Sequence, residues 1–442
     1  MSNAVVSAFK NKQLRKKLLF TTLILIVVRF GSQLPIPEID SAQISAYLKS
    51  TLGDSFSLLN SFTGGSFMQM SVFALSVTPY ITSSIIMQLM TIVIPALEEM
   101  QKDGEDGRKR MAKITRYVTV VLAIIEGAGL AIGFANQGAL GTDYTTFTIV
   151  TMIIALTAGA VLVMWLGERI TESGIGNGIS IILLINIVST MPNDFKNIYT
   201  QFIKGKDAVR MCLIALLVVA IVVCVTILVC MLQGAERKIP VQYAKRIVGN
   251  KQYGGARQYI PLKVNAAGVM PIIFAQAIMF IPITFIGFSN VNDAGGFLHA
   301  FTDHTSFWYN FVFAVMIILF TYFYTAITIN PTQMAEDMKR NNGFIPGIKP
   351  GKKTAEYIDD IMSRITLPGS FFLALVAIMP AFAGIFGVQA GFAQFFGGTS
   401  LLILVGVVLD TLQQVESHLL MRHYDGLLKS GRIKGRAGVA AY

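Results

Sequence analysis

The stretch Gly347-Ile-Lys-Pro-Gly351-Lys352-Lys353-Thr354 carries the residue types of a loop that cradles nucleotide phosphates. That chemistry needs a glycine five positions before Gly351 and a hydroxyl for magnesium after the lysine; Pro346 and Lys353 stand there instead. Gly174-Ile-Gly176-Asn-Gly178 is a weak glycine match with no strand before it, and better suits a freed backbone between two helices. His299, His304, His418 and His423 lie near segment ends without a convergent Cys or carboxylate set, so no metal site is expected. Ser, His and Asp are present, but nothing places them as a triad. No enzyme and no cofactor is expected.

What remains are ionisable residues inside apolar runs, which are functional suspects by default. Arg29 and Glu126 are clear instances, and Asp410 closes the last run. An arginine at a helix centre costs about 2.5–3.5 kcal/mol on the insertion scale, so Arg29 should face protein. For Glu126, pairing between helices is the favoured reading. Two or three isolated charges are few for an ion-coupled carrier.

The elements that position these residues follow from composition. Of 442 residues, 53% are hydrophobic and only 14% charged, against about a quarter charged in soluble domains. That excludes disorder, collagen-like repeats and disulfide miniproteins. Cys212, Cys224 and Cys230 share one apolar run and read as small hydrophobes. Lys10 to Lys17 ahead of Leu18–Val28 resemble a signal peptide, yet no small-x-small cleavage site follows, so a retained first helix is expected.

A crossing needs roughly 20 apolar residues with an internally satisfied backbone. Ten segments qualify: Leu18–Leu34, Met70–Ile94, Tyr117–Phe134, Thr148–Leu166, Ile179–Met191, Met211–Leu232, Ala266–Phe288, Phe307–Ile329, Leu367–Val388 and Phe396–Leu412. The fifth is short, and Pro79, Pro271, Pro282 and Pro380 interrupt the second, seventh and ninth. Broken helices at membrane depth point to a transport path. With a cytoplasmic N-terminus, 30 of the 36 Lys and Arg fall on inside segments. An even number of spans then puts both termini in the cytoplasm.

Two inside loops, 233–264 and 330–366, exceed what orientation requires. The first holds seven basic residues and one acid, Glu236, and its alternating stretches Pro240–Tyr243 and Tyr259–Val264 suit a small ribbon. A protruding basic loop fits a large anionic partner, RNA phosphates or an acidic protein surface. Before the second span, Leu58 to Phe67 is apolar and glycine-hinged yet too short to cross. A re-entrant segment and an interfacial helix both fit, and composition slightly favours the latter.

Several motifs then coincide in order: Pro35-Ile-Pro37, Leu59-Asn60 with Gly64-Gly65, Pro79-Tyr80-Ile81, Asp103-Gly-Glu-Asp-Gly-Arg108, Gly174 to Ser180, Tyr243-Ala-Lys245-Arg246, Pro261 to Asn265, Pro346-Gly-Ile-Lys-Pro350-Gly351 and Gly397-Gly-Thr-Ser400. Together they resemble the SecY family, pore subunits of the bacterial Sec protein-translocation channel, from about Lys12 to beyond the last span.

The resemblance implies an all-α polytopic membrane protein with ten transmembrane helices in two pseudo-symmetric five-helix halves, 1–200 and 201–442, around a central pore. It implies a plug at about 57–68, with Leu58, Leu59, Asn60, Phe62, Gly64 and Gly65, which reverses the compositional preference for an interfacial helix. It implies a pore ring of Val77, Ile81, Leu183, Ile187, Ile273 and Ile403, where Val77 and Leu183 depart from an all-isoleucine ring with nearly the same volume. A narrow aliphatic ring offers a passing chain no hydrogen-bond partner and bars ions by their desolvation cost. A lateral gate would lie between spans two and three and spans seven and eight, with Thr78, Ser83, Gln88 and Gln276 near its seam.

The implied partners are SecE-like and SecG-like subunits, the SecA motor ATPase, the ribosome, signal sequences, unfolded polypeptides and the lipid bilayer of the plasma membrane. Lys245, Arg246, Arg257 and Lys349 are the implied partner-binding residues; Lys349 stands where some relatives have arginine and lacks its bidentate fork. The competing class is a secondary transporter, which shares broken helices and repeats but should converge polar ligands at the midplane.

Overall fold

The computed structural model describes residues 12–37, 39, 41–51, 60, 62–136, 140, 145–200, 208–243, 246–248, 251–253, 257–276, 278–279, 306–385 and 398–429. Two compact units divide the chain, Met1–Thr190 with Val407–Tyr442, and Met191–Gly406. Among the described residues six helices are long and apolar enough to cross a membrane, and a bent pair adds a seventh when counted as one span. The architecture is all-α and polytopic, with two small β-sheets of three and two strands among the described residues.

The first unit contains α1 (Lys12–Gly31), α2 (Ser41–Thr51), α3 (Thr78–Val93), α4 (Pro95–Lys102), α5 (Gly104–Asn136) and α6 (Thr146–Ser173). It also takes in most of α7 (Gly178–Ile198) and the later part of α12 (Thr399–Lys429). On α1, Leu19, Leu23, Ile26 and Phe30 are exposed while Ile24 and Val28 are buried. Apolar groups on the outer face are the reverse of a soluble helix and suit a hydrocarbon solvent. The packed core gathers Phe67, Met70, Leu75, Ala123, Ala131, Met152, Leu156 and Ala160. Across it, α5 and α6 are also tied by an ion pair, Arg116 Nε to Glu168 Oε1 at 2.7 Å.

The second unit contains α8 (Ala208–Gly234), α9 (Phe307–Thr328), α10 (Pro331–Arg340), α11 (Lys352–Ile385) and the start of α12, with strands β1 (Glu236–Tyr243), β2 (Arg246–Val248), β3 (Lys251–Tyr253), β4 (Arg257–Lys263) and β5 (Gly343–Phe344). On α9, Tyr309, Phe313, Ile317, Thr321 and Thr325 recur every fourth residue and are buried. Phe307, Phe311, Val315 and Leu319 form the opposite, exposed row. That spacing gives one packing ridge and one lipid face.

The expected ribbon forms. β1 pairs antiparallel with β4, Pro240 opposite Tyr259 and Lys238 opposite Pro261. Ile239 and Val241 alternate inward along β1, as a half-buried strand requires. β1 also pairs with β5 through Gln242–Phe344 and Tyr243–Gly343, so the two long loops fold into one layer. Its core is Ile239, Val241, Leu262, Met338, Ile345, Ile358, Ile361 and Met362.

Several span boundaries differ from expectation, most instructively in the second, seventh and ninth spans. The second helix begins at Thr78, not Met70, because 70–77 run through turns, with Met70 and Ser76 at positive φ. Pro79 therefore sits in the first turn of α3, where its missing N–H costs nothing, and does not interrupt a helix. The actual break is at Ile94, where α3 and α4 meet at 108°. α11 begins fifteen residues before the expected ninth span, and Pro380 lies within its unbroken run alongside Pro368. The seventh expected span is helical over 270–276 and 278–279; its remainder, with Pro282, lies outside the described residues.

Candidate functional site

The site is built around the turns that precede α3. An extended bridge pairs Pro35 with Ser71, reinforced by Ile36 N–H donating to Met70 O at 3.1 Å and Val72 N–H to Leu34 O at 3.0 Å. These bonds help an apolar but non-helical backbone stay buried, because they give its amides partners away from water. Upstream, Asn60 organises the glycine hinge. Its carbonyl accepts from Gly65 N–H at 2.9 Å and from Thr63 Oγ1 at 3.2 Å, and its side chain accepts from Met68 N–H at 3.4 Å. Thr63, Ser66, Phe67 and Met70 are all buried.

Three side chains from α1 and α7 hold this segment. Arg29 Nη1 donates to the Gly64 carbonyl at 3.2 Å, and Ser189 Oγ donates to the same oxygen at 3.4 Å. Asn186 Nδ2 donates to the Phe62 carbonyl and to Ser76 Oγ, both at 3.1 Å. Gly64 has φ +66°, and a Cβ there would lie 2.5 Å from Arg29 Nη1 and 2.9 Å from Ser189 Oγ. The positive φ favours glycine, and a side chain there would displace the guanidinium and the hydroxyl from their present places. The expectation that Arg29 faces protein is met. Glu126, by contrast, is half-buried and makes no hydrogen bond or ion pair among the described residues.

The helix that supplies Asn186 is itself fixed at its start. Gly178 N–H donates to Thr171 Oγ1 at 2.9 Å, and Asn177 Oδ1 accepts from Ile179 N–H at 3.1 Å as a cap. A Cβ at Gly178 would stand 1.9 Å from the Gly167 carbonyl, so α6 and α7 meet backbone to backbone there. The turn is also tied outward, Ile175 N–H to Thr21 Oγ1 at 3.3 Å and Gly176 N–H to Gln414 Oε1 at 3.1 Å.

The first unit carries four of the six ring positions. Val77 (1% exposed), Leu183 (5%) and Ile187 (0%) are buried, and Ile81 is half-buried one turn into α3. Leu183 and Ile187 are spaced i, i+4 on α7 with Asn186 between them, so one helix face carries both aliphatics and the amide that holds the turn. Ile273 and Ile403 belong to the second unit; the former is half-buried, the latter 1% exposed. Beside Ile403, Gln233 Nε2 on α8 donates to the Leu402 carbonyl at 3.1 Å. Of the seam residues, Ser83 Oγ bonds Thr119 Oγ1 on α5, ordinary interhelical pairing, whereas buried Gln276 Nε2 has no partner among the described residues.

Leu58, Leu59 and Lys245 lie outside the described residues. Arg246 begins β2 opposite Tyr253, and Arg257 begins β4 opposite Gln242. Lys349 is exposed on the Pro-Gly-Ile-Lys-Pro-Gly turn, its carbonyl accepting from Thr354 Oγ1 at 3.0 Å in the first turn of α11. Sequence reasoning passed over Asn186 and Ser189. The available signal was a buried-type amide inside the apolar run Ile181 to Val188, which must find a partner at membrane depth.

The chain matches the SecY family model over residues 71–412. It is 44% identical over 448 residues to the protein translocase subunit SecY of Streptomyces coelicolor, covering 97% of this chain and 100% of that protein. The SecY proteins of Corynebacterium glutamicum and Mycobacterium tuberculosis are 41% and 40% identical, with the same coverage. Among solved structures, a protein-conducting channel superposes with a TM-score of 0.61 at 16% identity, over 96% of this chain and 94% of that one. Canine Sec61 in its ribosome–channel complex gives 0.57 at 15%, over 96% and 94%. At such identities these two speak for the fold. The family match across most of the chain and the near-full-length identity make this chain a member of the SecY family.

Proposed function

We propose that this chain is the central channel subunit of a Sec translocon. It conducts unfolded secretory polypeptides across the plasma membrane and releases membrane-protein helices sideways through a gate. The reading is carried by one arrangement: the aliphatic positions Leu183 and Ile187 share an α7 face with Asn186, which holds the 62–76 segment by a backbone carbonyl and Ser76. A small-solute carrier would put polar ligands at the positions that Leu183 and Ile187 occupy.

In this reading Val77, Ile81, Leu183, Ile187, Ile273 and Ile403 form the constriction, and Leu58, Leu59, Asn60, Phe62, Gly64 and Gly65 belong to the plug. The halves 1–200 and 201–442 flank the pore, and both termini are cytoplasmic, which agrees with 30 of 36 basic residues on the inside segments. SecE-like and SecG-like subunits complete the channel. It is passive: energy comes from a SecA-type motor or a translating ribosome docked on the two long loops through Lys245, Arg246, Arg257 and Lys349.

The test uses vesicles containing the full chain with its small subunits and the motor. A secretory polypeptide should become protease-protected only when its signal sequence is intact. Reversing the charge of Lys245 and Arg246 should lower both this protection and motor affinity, and flatten the salt dependence of binding. Affinity that is unaffected and independent of salt would remove these residues from the docking surface.

A further inference from the structure

We propose that Arg29, assisted by Ser189 and Asn186, is a latch that holds the 62–64 turn by its backbone carbonyls and thereby sets the free energy of the closed state. The inference rests on reading that turn as part of the plug. Arg29 is an arginine in the last turn of an apolar helix, and no carboxylate pairs with it among the described residues. Its bond is to the Gly64 carbonyl, which Ser189 shares, while Asn186 takes the Phe62 carbonyl two residues earlier. Two helices thus grip two carbonyls of one turn, and the donors lie 35, 125 and 124 residues away from their acceptors in the chain.

The choice of acceptor matters. A latch on backbone oxygens holds the turn whatever its side chains are, and leaves no unpaired carboxylate behind when the turn departs. A guanidinium–carbonyl bond is strong where water is excluded and weak where water competes. Once water enters beside the turn, it supplies Arg29 with substitute acceptors, so hydration of the funnel and release of the turn reinforce each other. The closed state is therefore favoured by a differential interaction, as any two-state gate requires.

The experiment compares full-length chains reconstituted in lipid vesicles, reading resting ion leak and translocation of a substrate with a weakened signal sequence. Arg29→Gln should raise both by about ten- to a hundredfold, the loss of one hydrogen bond to a charged group. Arg29→Lys should fall between it and the parent, and Ser189→Ala should give a smaller rise. In a chain lacking residues 60–65, which leaks on its own, Arg29→Gln should add nothing. If Arg29→Gln does not fold, Arg29→Lys and Ser189→Ala carry the same comparison. A rise undiminished in the shortened chain would assign Arg29 to packing of α1 and overturn the latch. So would no rise at all when the shortened chain does leak. A shortened chain as tight as the parent would instead overturn the plug reading beneath it.

Discussion

Replacing Ile187 with Gly or Ser should raise resting ion leak by at least about tenfold, which corresponds to about 1.4 kcal/mol off the barrier. The barrier is the cost of stripping water from an ion at a constriction with no polar group to replace it. Serine supplies a hydroxyl, and glycine supplies width. Ile187 is fully buried, so truncation also costs packing, about 2–5 kcal/mol for a buried isoleucine cut to alanine. Ile182 separates the two effects: it is equally buried on the same helix but is not a ring position. Ile182→Ala should lower thermal stability in detergent without raising leak. Ile81 and Ile403 should behave as Ile187 does. Unchanged conductance in all three would remove the ring assignment.

Val241→Asp should detach the docking layer while sparing the membrane helices. Val241 is 1% exposed in the core shared by β1, β4, α10 and α11. An unpaired carboxylate there costs several kcal/mol after relaxation, comparable to the stability of a small domain. The expected result is normal membrane insertion, faster proteolysis within residues 236–263, and at least a tenfold loss of motor or ribosome affinity. The logic depends on β5: because Tyr243 and Gln242 pair with Gly343 and Phe344, the loop bearing Lys349 is positioned by the same strand that leads to Arg246. Retained affinity with a proteolysed layer would mean that single basic residues suffice without their scaffold.

How much of this was legible in the sequence depends on what each signal measures. Hydropathy placed each of the ten expected spans at least partly on a helix among the described residues, because lipid contact demands long apolar runs whatever the tertiary structure. It failed at 70–77, where Met70 to Val77 are as apolar as a helix but turn under the bridge between Pro35 and Ser71. Hydropathy reports burial, and burial does not fix the backbone. The early start of α11 was missed for the opposite reason. Residues 352–366 are polar on average, yet Ala355, Ile358, Ile361 and Met362 repeat at helical spacing and are buried, a period that a window average conceals. The ribbon was readable because strict alternation of apolar and polar residues suits a half-buried strand and does not suit a helix.

The candidate site was only partly legible. An arginine or an asparagine in an apolar run announces that it needs a partner, but nothing local says which one. Arg29 finds Gly64, and Asn186 finds Phe62, across 35 and 124 residues. Only the folded chain brings them together. The glycine at 64 was visible as a hinge, whereas its second role, leaving room for a guanidinium, follows from the approach of α1.

The most direct test of the central claim is whether a translocating chain touches α7 at the predicted constriction. The protein would carry Ile187→Cys in a background lacking Cys212, Cys224 and Cys230, and would be offered a stalled secretory polypeptide with one cysteine under oxidising conditions. A disulfide that depends on an intact signal sequence is the predicted result and puts the chain at the ring. An engaged polypeptide that forms no adduct there, nor from cysteines placed at Ile81 and Ile403, would contradict the channel assignment and favour a small-solute carrier.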